Sequence, residues 1–116
     1  MGIMYPSGLW NGYWEQPGFG RQVMHDFSLR FADGYCFGEG RDIVGEFVIR
    51  GIYDAHGSVE FVKQYVGRHQ VRYIGMHDGE GTIHGQWSIP PLWEGTFALR
   101  PVRAQADPNL PIQTIE

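Results

Sequence analysis

The sequence predicts an all-β fold, an eight-stranded antiparallel up-and-down (meander) barrel. Apolar and polar residues alternate with a period of two along almost the whole chain, which is typical of strands with one buried face. Aromatic and β-branched residues form runs that recur about every twelve residues, with Gly-containing turns between them. The 116 residues include 17 glycines, 7 Phe, 6 Tyr and 4 Trp but a single lysine, Lys63, so strand and turn formers outnumber helix formers.

Three short connections set the predicted topology. Ala32–Gly34, Ala55–Gly57 and Asp78–Gly81 each carry Gly where a hairpin turn needs a positive φ. No connection is long enough for a crossover helix, so consecutive strands should pair antiparallel. Closure removes exposed edge strands, which favours a barrel, and an open antiparallel sandwich is the alternative. The predicted strands are Leu9–Glu15, Gln22–Phe31, Tyr35–Arg41, Glu46–Tyr53, Ser58–Tyr65, His69–His77, Thr82–Ile89 and Gly95–Arg100.

These strands define a single domain. We predict one barrel over residues 1–100, because a chain of this length has no room for a second core. Residues 101–116 carry Pro101, Pro108 and Pro111 and show little alternation. This composition predicts a proline-rich C-terminal arm after the last strand.

Charge and hydropathy exclude several classes of function. The formal net charge of −4 at pH 7 comes from scattered Asp and Glu, without the cationic stripe that a nucleic-acid-binding protein needs. No apolar run reaches the roughly 18 residues of a membrane span, and no signal peptide is recognisable. We therefore expect a cytoplasmic protein without a cofactor and without a nucleic-acid or membrane partner.

Cysteine and histidine do not predict a metal site. The single cysteine, Cys36, excludes a disulfide framework and a cysteine-based zinc site. His77 and His84 lie close across one predicted hairpin. Two imidazoles without a nearby inward carboxylate make an incomplete set of ligands, so we predict that they are solvated turn residues.

Turn length predicts which side chains face the barrel interior. If three-residue loops close the hairpins at 32–34 and 55–57, Phe27 lies opposite Glu39, Ile49 lies opposite Lys63, and Cys36 faces outward. Directly opposed residues share a face of the sheet. The predicted apolar plug under the tight turns consists of Phe31, Tyr35, Tyr53, Val59 and Ile83. The inward candidates for ligand binding are His25, Glu39, Arg41, Phe61, Lys63, Tyr65, His69, Tyr73 and Trp87.

The polar part of this interior coincides with the longer loops. Lys63 and its predicted charged neighbours lie near the end of the barrel opposite the tight turns. Connectivity puts the loops at 17–20, 42–45 and 90–94 at that same end. This is the layout of a barrel with a closed bottom and a ligand-accepting mouth.

The leading functional hypothesis is non-catalytic binding of a small polar or anionic molecule at the polar end. Arg41 and Lys63 would meet the charge of the ligand, Glu39 would partner one of them, and histidines and tyrosines would form hydrogen bonds. The alternative is a salt-bridge network that closes the wide end without a ligand. An open polar cavity of at least ~300 Å³ would support binding, whereas a sealed salt-bridge layer would count against it.

Two further classes of function stay open. One is a self-associating interaction module, a homo-oligomer whose interface uses Trp93, Trp14 and the proline-rich arm. The other is a barrel enzyme in which His25 or Glu39 acts as general base in proton transfer or cyclisation. No serine or cysteine is placed as a nucleophile, so the sequence favours a protein that is not an enzyme.

Several segments resemble the avidin and streptavidin family of eight-stranded meander barrels, which bind biotin at the open end. Phe47–Asp54 is similar to the fourth strand of the family, with its Gly-x-Tyr-Asp ending, and Gly8–Trp10 resembles the opening Gly-x-Trp. Phe61–Tyr65 resembles the fifth-strand segment where the family has a pocket tryptophan followed by Lys. Ile83–Trp87 resembles the seventh-strand Gln-Trp, and Trp93 lies in the loop that sends a Trp into a neighbouring subunit.

The resemblance implies the scaffold and not the ligand. The family has a ring-binding Asn two residues after the first Trp, and this chain has Gly12 there. Gly95 stands where the eighth strand of the family carries the Asp that polarises the urea group of biotin. An avidin-like barrel with different ligand chemistry is therefore expected.

Overall fold

Eight antiparallel strands form a closed up-and-down barrel in a computed structural model that describes residues 5–102. Each strand pairs with its sequence neighbours and β1 pairs with β8, which confirms the predicted fold class. Within the described residues, no helix is long and apolar enough to cross a membrane. The strands are β1 (Gly8–Gln16), β2 (Gly20–Ala32), β3 (Tyr35–Arg41), β4 (Glu46–Tyr53), β5 (Ser58–Tyr65), β6 (Gln70–His77), β7 (Ile83–Ile89) and β8 (Trp93–Pro101).

The last strand includes the first residue of the predicted arm. β8 ends at Pro101, and the amide of Val102 donates a hydrogen bond to the carbonyl oxygen of Leu9 (3.0 Å). The remainder of the predicted arm, 103–116, lies outside the described residues.

Inward side chains from the strands form one aromatic-rich core. The rings of Phe61 and Tyr73 stack with their centroids 4.7 Å apart, and Phe97 packs edge-on against both. Gly51 lies opposite Phe61, and a Cβ at this glycine would collide with Phe61 and with the carbonyl oxygen of Glu60. This pairing of a small with a large inward residue lets a narrow barrel close without voids.

The two ends of the barrel differ as predicted. The tight hairpins lie at one end, where Tyr5 stacks on Phe31 (4.8 Å between ring centroids) and donates a hydrogen bond to the Gly57 carbonyl (3.2 Å). Tyr53 packs edge-on against both aromatic rings, and Ile83 is fully buried. The longer loops lie at the other end, which we call the loop end.

The register of β3 differs from the prediction by one residue. Asp33 and Gly34 both have positive φ (53° and 85°), so a two-residue turn closes the β2–β3 hairpin instead of the predicted three-residue loop. Phe31 consequently lies opposite Cys36, and Cys36 is buried. A one-residue shift exchanges the two faces of a strand. The inward placements of Tyr35, Glu39 and Arg41 are therefore wrong, because these side chains are exposed on the outer wall. The outward placement of Cys36 is wrong as well.

The prediction for His25 is also wrong. An irregularity between His25 and Ser28, where Asp26 has a φ of 49°, shifts the pairing of β2 with β3. Met24 and Phe27 fill the interior on either side of it, and the His25 side chain is exposed.

The predicted register is confirmed from β4 to β6, and Trp87 on β7 faces the interior as predicted. Ile49 lies opposite Lys63, and Phe61 lies opposite Tyr73. Tyr73 in turn lies opposite Trp87, so these inward residues share one interior. His69 lies just before β6, where its carbonyl accepts a hydrogen bond from the Tyr65 amide (3.1 Å), but its side chain is exposed.

Candidate functional site

Lys63 is a fully buried cation in the barrel interior. Alternation along β5 turns it inward between Phe61 and Tyr65, and its side chain has 0% exposure. The Nζ atom donates hydrogen bonds to Asp42 Oδ2 (2.6 Å) and to the Tyr73 hydroxyl (3.3 Å). An unpaired ammonium group would cost several kcal/mol in such surroundings, so the Asp42 carboxylate is the counter-charge that allows Lys63 to stay charged.

Asp42 is the residue that the sequence analysis missed, since Glu39 was predicted as the carboxylate that partners Lys63 or Arg41. It begins the β3–β4 loop, 42–45, and its side chain also has 0% exposure. With the observed register, the inward alternation of Cys36, Gly38 and Gly40 continues to Asp42. The signal was therefore present in the sequence, but it depended on the length of the preceding turn.

Three side chains from the barrel wall converge on one oxygen of Asp42. Lys63 Nζ (2.6 Å), the Tyr65 hydroxyl (2.7 Å) and Trp14 Nε1 (3.1 Å) all donate to Oδ2. The other oxygen, Oδ1, accepts the amide of Val44 (2.9 Å) within the loop itself. We call Trp14, Asp42, Lys63, Tyr65 and Tyr73 the Lys63 cluster.

Aromatic rings surround the ammonium group. Nζ lies 4.3 Å from the ring centroid of Phe47 and 4.8 Å from that of Tyr65. The rings of Tyr73 and Trp14 follow at 5.6 and 5.8 Å. These distances lie within the range of cation–π attraction, which adds to the ion pair in holding the positive charge.

The cluster carries one positive and one negative charge at neutral pH. Burial lowers the pKa of Lys63 from 10.5 to about 8, although attraction to Asp42 opposes this shift. Burial alone would raise the pKa of Asp42, but attraction to Lys63 and hydrogen bonds from Lys63, Tyr65 and the Val44 amide lower it below its ordinary value. Burial raises the pKa of Tyr65 and of Tyr73, and the nearby Asp42 charge adds to both shifts, so both phenols stay protonated.

The structure brings together five of the predicted site residues. Lys63, Tyr65 and Tyr73 belong to the Lys63 cluster, and Phe61 stacks on Tyr73. Trp87 packs edge-on against Trp14 at 5.7 Å, and its Nε1 donates to the Glu15 carbonyl (3.0 Å).

The other four predicted residues do not enter the cluster. His25, Glu39 and Arg41 lie on the outer wall, where Arg41 pairs with Asp26 (2.8 Å). His69 lies at the loop end with its ring 5.2 Å from that of Tyr65. A surface depression of about 340 Å³ is lined in part by Glu39 and Arg41, and neither Lys63 nor Asp42 lines it.

The ion pair is sealed from solvent. Neither Lys63 nor Asp42 exposes its side chain. This sealed salt-bridge layer is the arrangement that counts against ligand binding in the sequence analysis, and it matches the alternative of an ion pair that closes the wide end. Any ligand of Lys63 would have to move the 42–45 loop, because that loop supplies the acceptor that now occupies the donors.

Exposed apolar residues surround this closed mouth. The β1–β2, β3–β4, β5–β6 and β7–β8 connections all lie at the loop end, and each presents at least one apolar side chain that is more than half exposed. We call these residues the apolar rim: Phe19, Ile43, Val66, Leu92 and Trp93. A group of exposed apolar side chains at one end is typical of a contact surface for a ligand or a protein partner.

The two tryptophans predicted for an interface have different surroundings. Trp93 is 52% exposed and belongs to the apolar rim. Trp14 is buried, donates to Asp42 and stacks against Phe19 with ring centroids 6.2 Å apart. Only Trp93 of this pair is therefore accessible to a partner in the described structure.

The histidines of the β6–β7 hairpin point to opposite faces. His84 lies opposite Met76 and is exposed, whereas His77 lies opposite Ile83 and is half-buried against the Tyr5 ring. Among residues 5–102, no group of three or more His, Cys, Asp or Glu side chains is placed to hold a metal ion.

Comparisons with known proteins identify no relative. No protein-family model, curated protein or solved structure matches the chain. The resemblance to the avidin and streptavidin family therefore stays a prediction, and the functional argument depends on the geometry of the barrel alone.

Proposed function

We propose that this barrel binds a small anionic molecule at its loop end, with Lys63 as the residue that recognises the negative charge. The observation that carries the proposal is the convergence of three wall donors, from Lys63, Tyr65 and Trp14, on one carboxylate oxygen beneath the loops. Such a set is what an anion-binding site requires, because each donor is fixed by strand pairing before the anion arrives.

Closing a barrel end does not require charged groups. Apolar side chains of similar volume generally fill such a layer at equal or lower free energy than a buried ion pair. The Lys63–Asp42 pair therefore stabilises the fold no more than apolar side chains of the same volume would. We attribute its presence to recognition of a ligand. The sealed state fits this role if the 42–45 loop opens for the ligand.

The proposal is tested by mass spectrometry of small molecules released when the purified protein is denatured. We expect an anion at near-stoichiometric amount from the natural chain and at least tenfold less from Lys63→Met. Tyr65→Phe removes one donor and should reduce the amount less. Arg72→Met, which removes an exposed cation paired with Glu60 on the outer wall, is the matched control and should release as much as the natural chain.

Two outcomes would contradict the proposal. One is the absence of any stoichiometric anion from the natural chain. The other is an equal yield from the natural chain and from correctly folded Lys63→Met, since the anion would then be held elsewhere.

The apolar rim favours self-association as a second candidate function. Leu92 and Trp93 are adjacent and expose 76% and 52% of their surface, which a second copy could cover. In sedimentation velocity, we expect Trp93→Ser to shift any oligomer towards monomer, while Tyr35→Ser, an exposed aromatic at the other end, should not. A monomeric natural chain at about 100 μM, a concentration far above a micromolar Kd, would exclude this candidate.

The geometry does not favour the enzyme alternative. His25 and Glu39 are exposed on the outer wall and are separated from the Lys63 cluster by the barrel wall. No acid–base pair is formed by these two residues in the described structure.

A further inference from the structure

We propose that the ligand of the Lys63 cluster is an amphipathic monocarboxylate, and that its carboxylate takes the place of the Asp42 carboxylate. This inference rests on the proposed function and adds the chemical class of the ligand and the group that it displaces. Two separate features of the loop end carry it: the arrangement of donors around Asp42, and the apolar rim above them.

The barrel wall supplies the donors, whereas a loop supplies the acceptor. Lys63 and Tyr65 lie on β5 and Trp14 lies on β1, so pairing on both sides fixes these donors. Asp42 follows the last residue of β3, and its backbone exchanges two hydrogen bonds with Gly45 (3.0 and 3.1 Å). These bonds stay within the loop, so an outward turn of the loop would keep them and the strand ladders, and its cost would be the removal of Val44 from the core against which it packs.

A ligand carboxylate reproduces the contacts that Asp42 now makes. It would accept the same three donors at the same oxygen, and it would restore the charge balance around Lys63 that the outward movement of Asp42 removes. A neutral ligand would leave the buried ammonium group unpaired. A dianion would bring a second negative charge for which the cluster has no second buried cation among the described residues.

The apolar rim indicates the other half of the ligand. Phe19, Ile43, Val66, Leu92 and Trp93 surround the mouth through which a carboxylate must enter. An apolar chain attached to that carboxylate would cover side chains that now contact water, which stabilises the complex. Ile43 follows Asp42 directly, so the displacement of Asp42 also moves a residue of the apolar rim. The donor arrangement and the apolar rim are therefore linked through the 42–45 loop.

Asp42 thus acts as an internal competitor of the ligand. A ligand binds only those molecules in which the site is open. A group that competes for the site therefore lowers the apparent affinity in proportion to the fraction of molecules that remain open. Removing the competitor must therefore tighten binding, whereas removing a group that merely contacts the ligand would weaken it. This opposite sign distinguishes displacement of Asp42 from direct binding by Asp42.

The test is calorimetric titration with octanoate of the natural chain and of Asp42→Ala. We expect octanoate to bind Asp42→Ala at least tenfold more tightly than the natural chain. Asp42→Asn, which keeps the size of the side chain and one acceptor for Lys63, serves if Asp42→Ala does not fold, and it should also bind more tightly. Acetate, which lacks the apolar chain, and octanol, which lacks the carboxylate, should each bind at least tenfold more weakly than octanoate.

Equal octanoate affinity in the natural chain and both Asp42 variants would overturn the inference, and so would binding of octanol as tight as that of octanoate. Release of a bound anion that lacks a carboxylate from the natural chain would also overturn it, while leaving the proposed function intact. Tight octanoate binding by the Asp42 variants with none by the natural chain would also overturn the inference, because octanoate would then not displace Asp42 from Lys63.

Discussion

Replacing Asp42 with alanine is expected to lower the free energy of unfolding by about 3–5 kcal/mol. The change removes the counter-charge of a fully buried ammonium group, and among the described residues only the Tyr73 hydroxyl remains to accept a hydrogen bond from Lys63. An uncompensated buried charge of this kind is among the largest single-residue costs in a folded protein. Urea denaturation followed by tryptophan fluorescence measures the loss.

The double variant is the control that separates charge from packing. Lys63→Met alone leaves Asp42 with the Tyr65 and Trp14 donors in a loop that can turn to solvent, so we expect a loss of about 1–3 kcal/mol. Asp42→Ala combined with Lys63→Met should recover to within about 1 kcal/mol of the natural chain, because no buried charge remains. Additive losses in the double variant, or a loss below about 1 kcal/mol in Asp42→Ala, would show that the two charges are not coupled.

Raising the pH from 7 to about 9.5 is expected to stabilise the natural chain relative to Lys63→Met. The unfolded chain holds the Lys63 proton up to its ordinary pKa of 10.5, whereas burial in the folded chain lowers the pKa to about 8. Between these values the unfolded state binds more protons, so stability rises with pH by at most about 1.4 kcal/mol per pH unit. Denaturation midpoints at successive pH values measure the difference between the two proteins.

Other titrating groups of the Lys63 cluster limit the pH range over which stability rises. The lowered pKa of Asp42 stabilises the fold above about pH 4, and this contribution is lost as the pH falls through the folded pKa. The raised pKa values of Tyr65 and Tyr73 lower stability above about pH 10, where the unfolded phenols ionise first. A difference between the natural chain and Lys63→Met that stays flat or falls from pH 7 to 9.5 would contradict the lowering of the pKa of Lys63 by burial.

The fold class could be predicted because the signals for it are local. Alternation and Gly-containing turns recur along the chain, and short connections permit only neighbouring antiparallel pairs. The register of β3 could not be predicted, because Ala32-Asp33-Gly34 is compatible with a two-residue and with a three-residue turn. The choice depends on packing across the barrel: Gly38 leaves room for Leu29, and Gly40 leaves room for Phe47.

The same distinction explains which part of the candidate site could be found. Lys63, Tyr65 and Tyr73 lie on strands whose register was predicted correctly, so their inward placement was accessible from the sequence. The partner of Lys63 could not be found in this way. An error of one residue in the register of β3 placed Glu39 inside the barrel instead of Asp42. An ion pair in a barrel interior can thus be predicted only when the length of the turn that fixes the strand register is predicted correctly.

A crystal structure of the protein determined with octanoate tests the central claim most directly. The account predicts the octanoate carboxylate within hydrogen-bond distance of Lys63 Nζ, the Tyr65 hydroxyl and Trp14 Nε1, with Asp42 turned outward and the alkyl chain along the apolar rim. Asp42 retained on Lys63 Nζ at about 2.6 Å, with octanoate absent or bound elsewhere, would contradict it and leave the ion pair as a structural closure of the barrel.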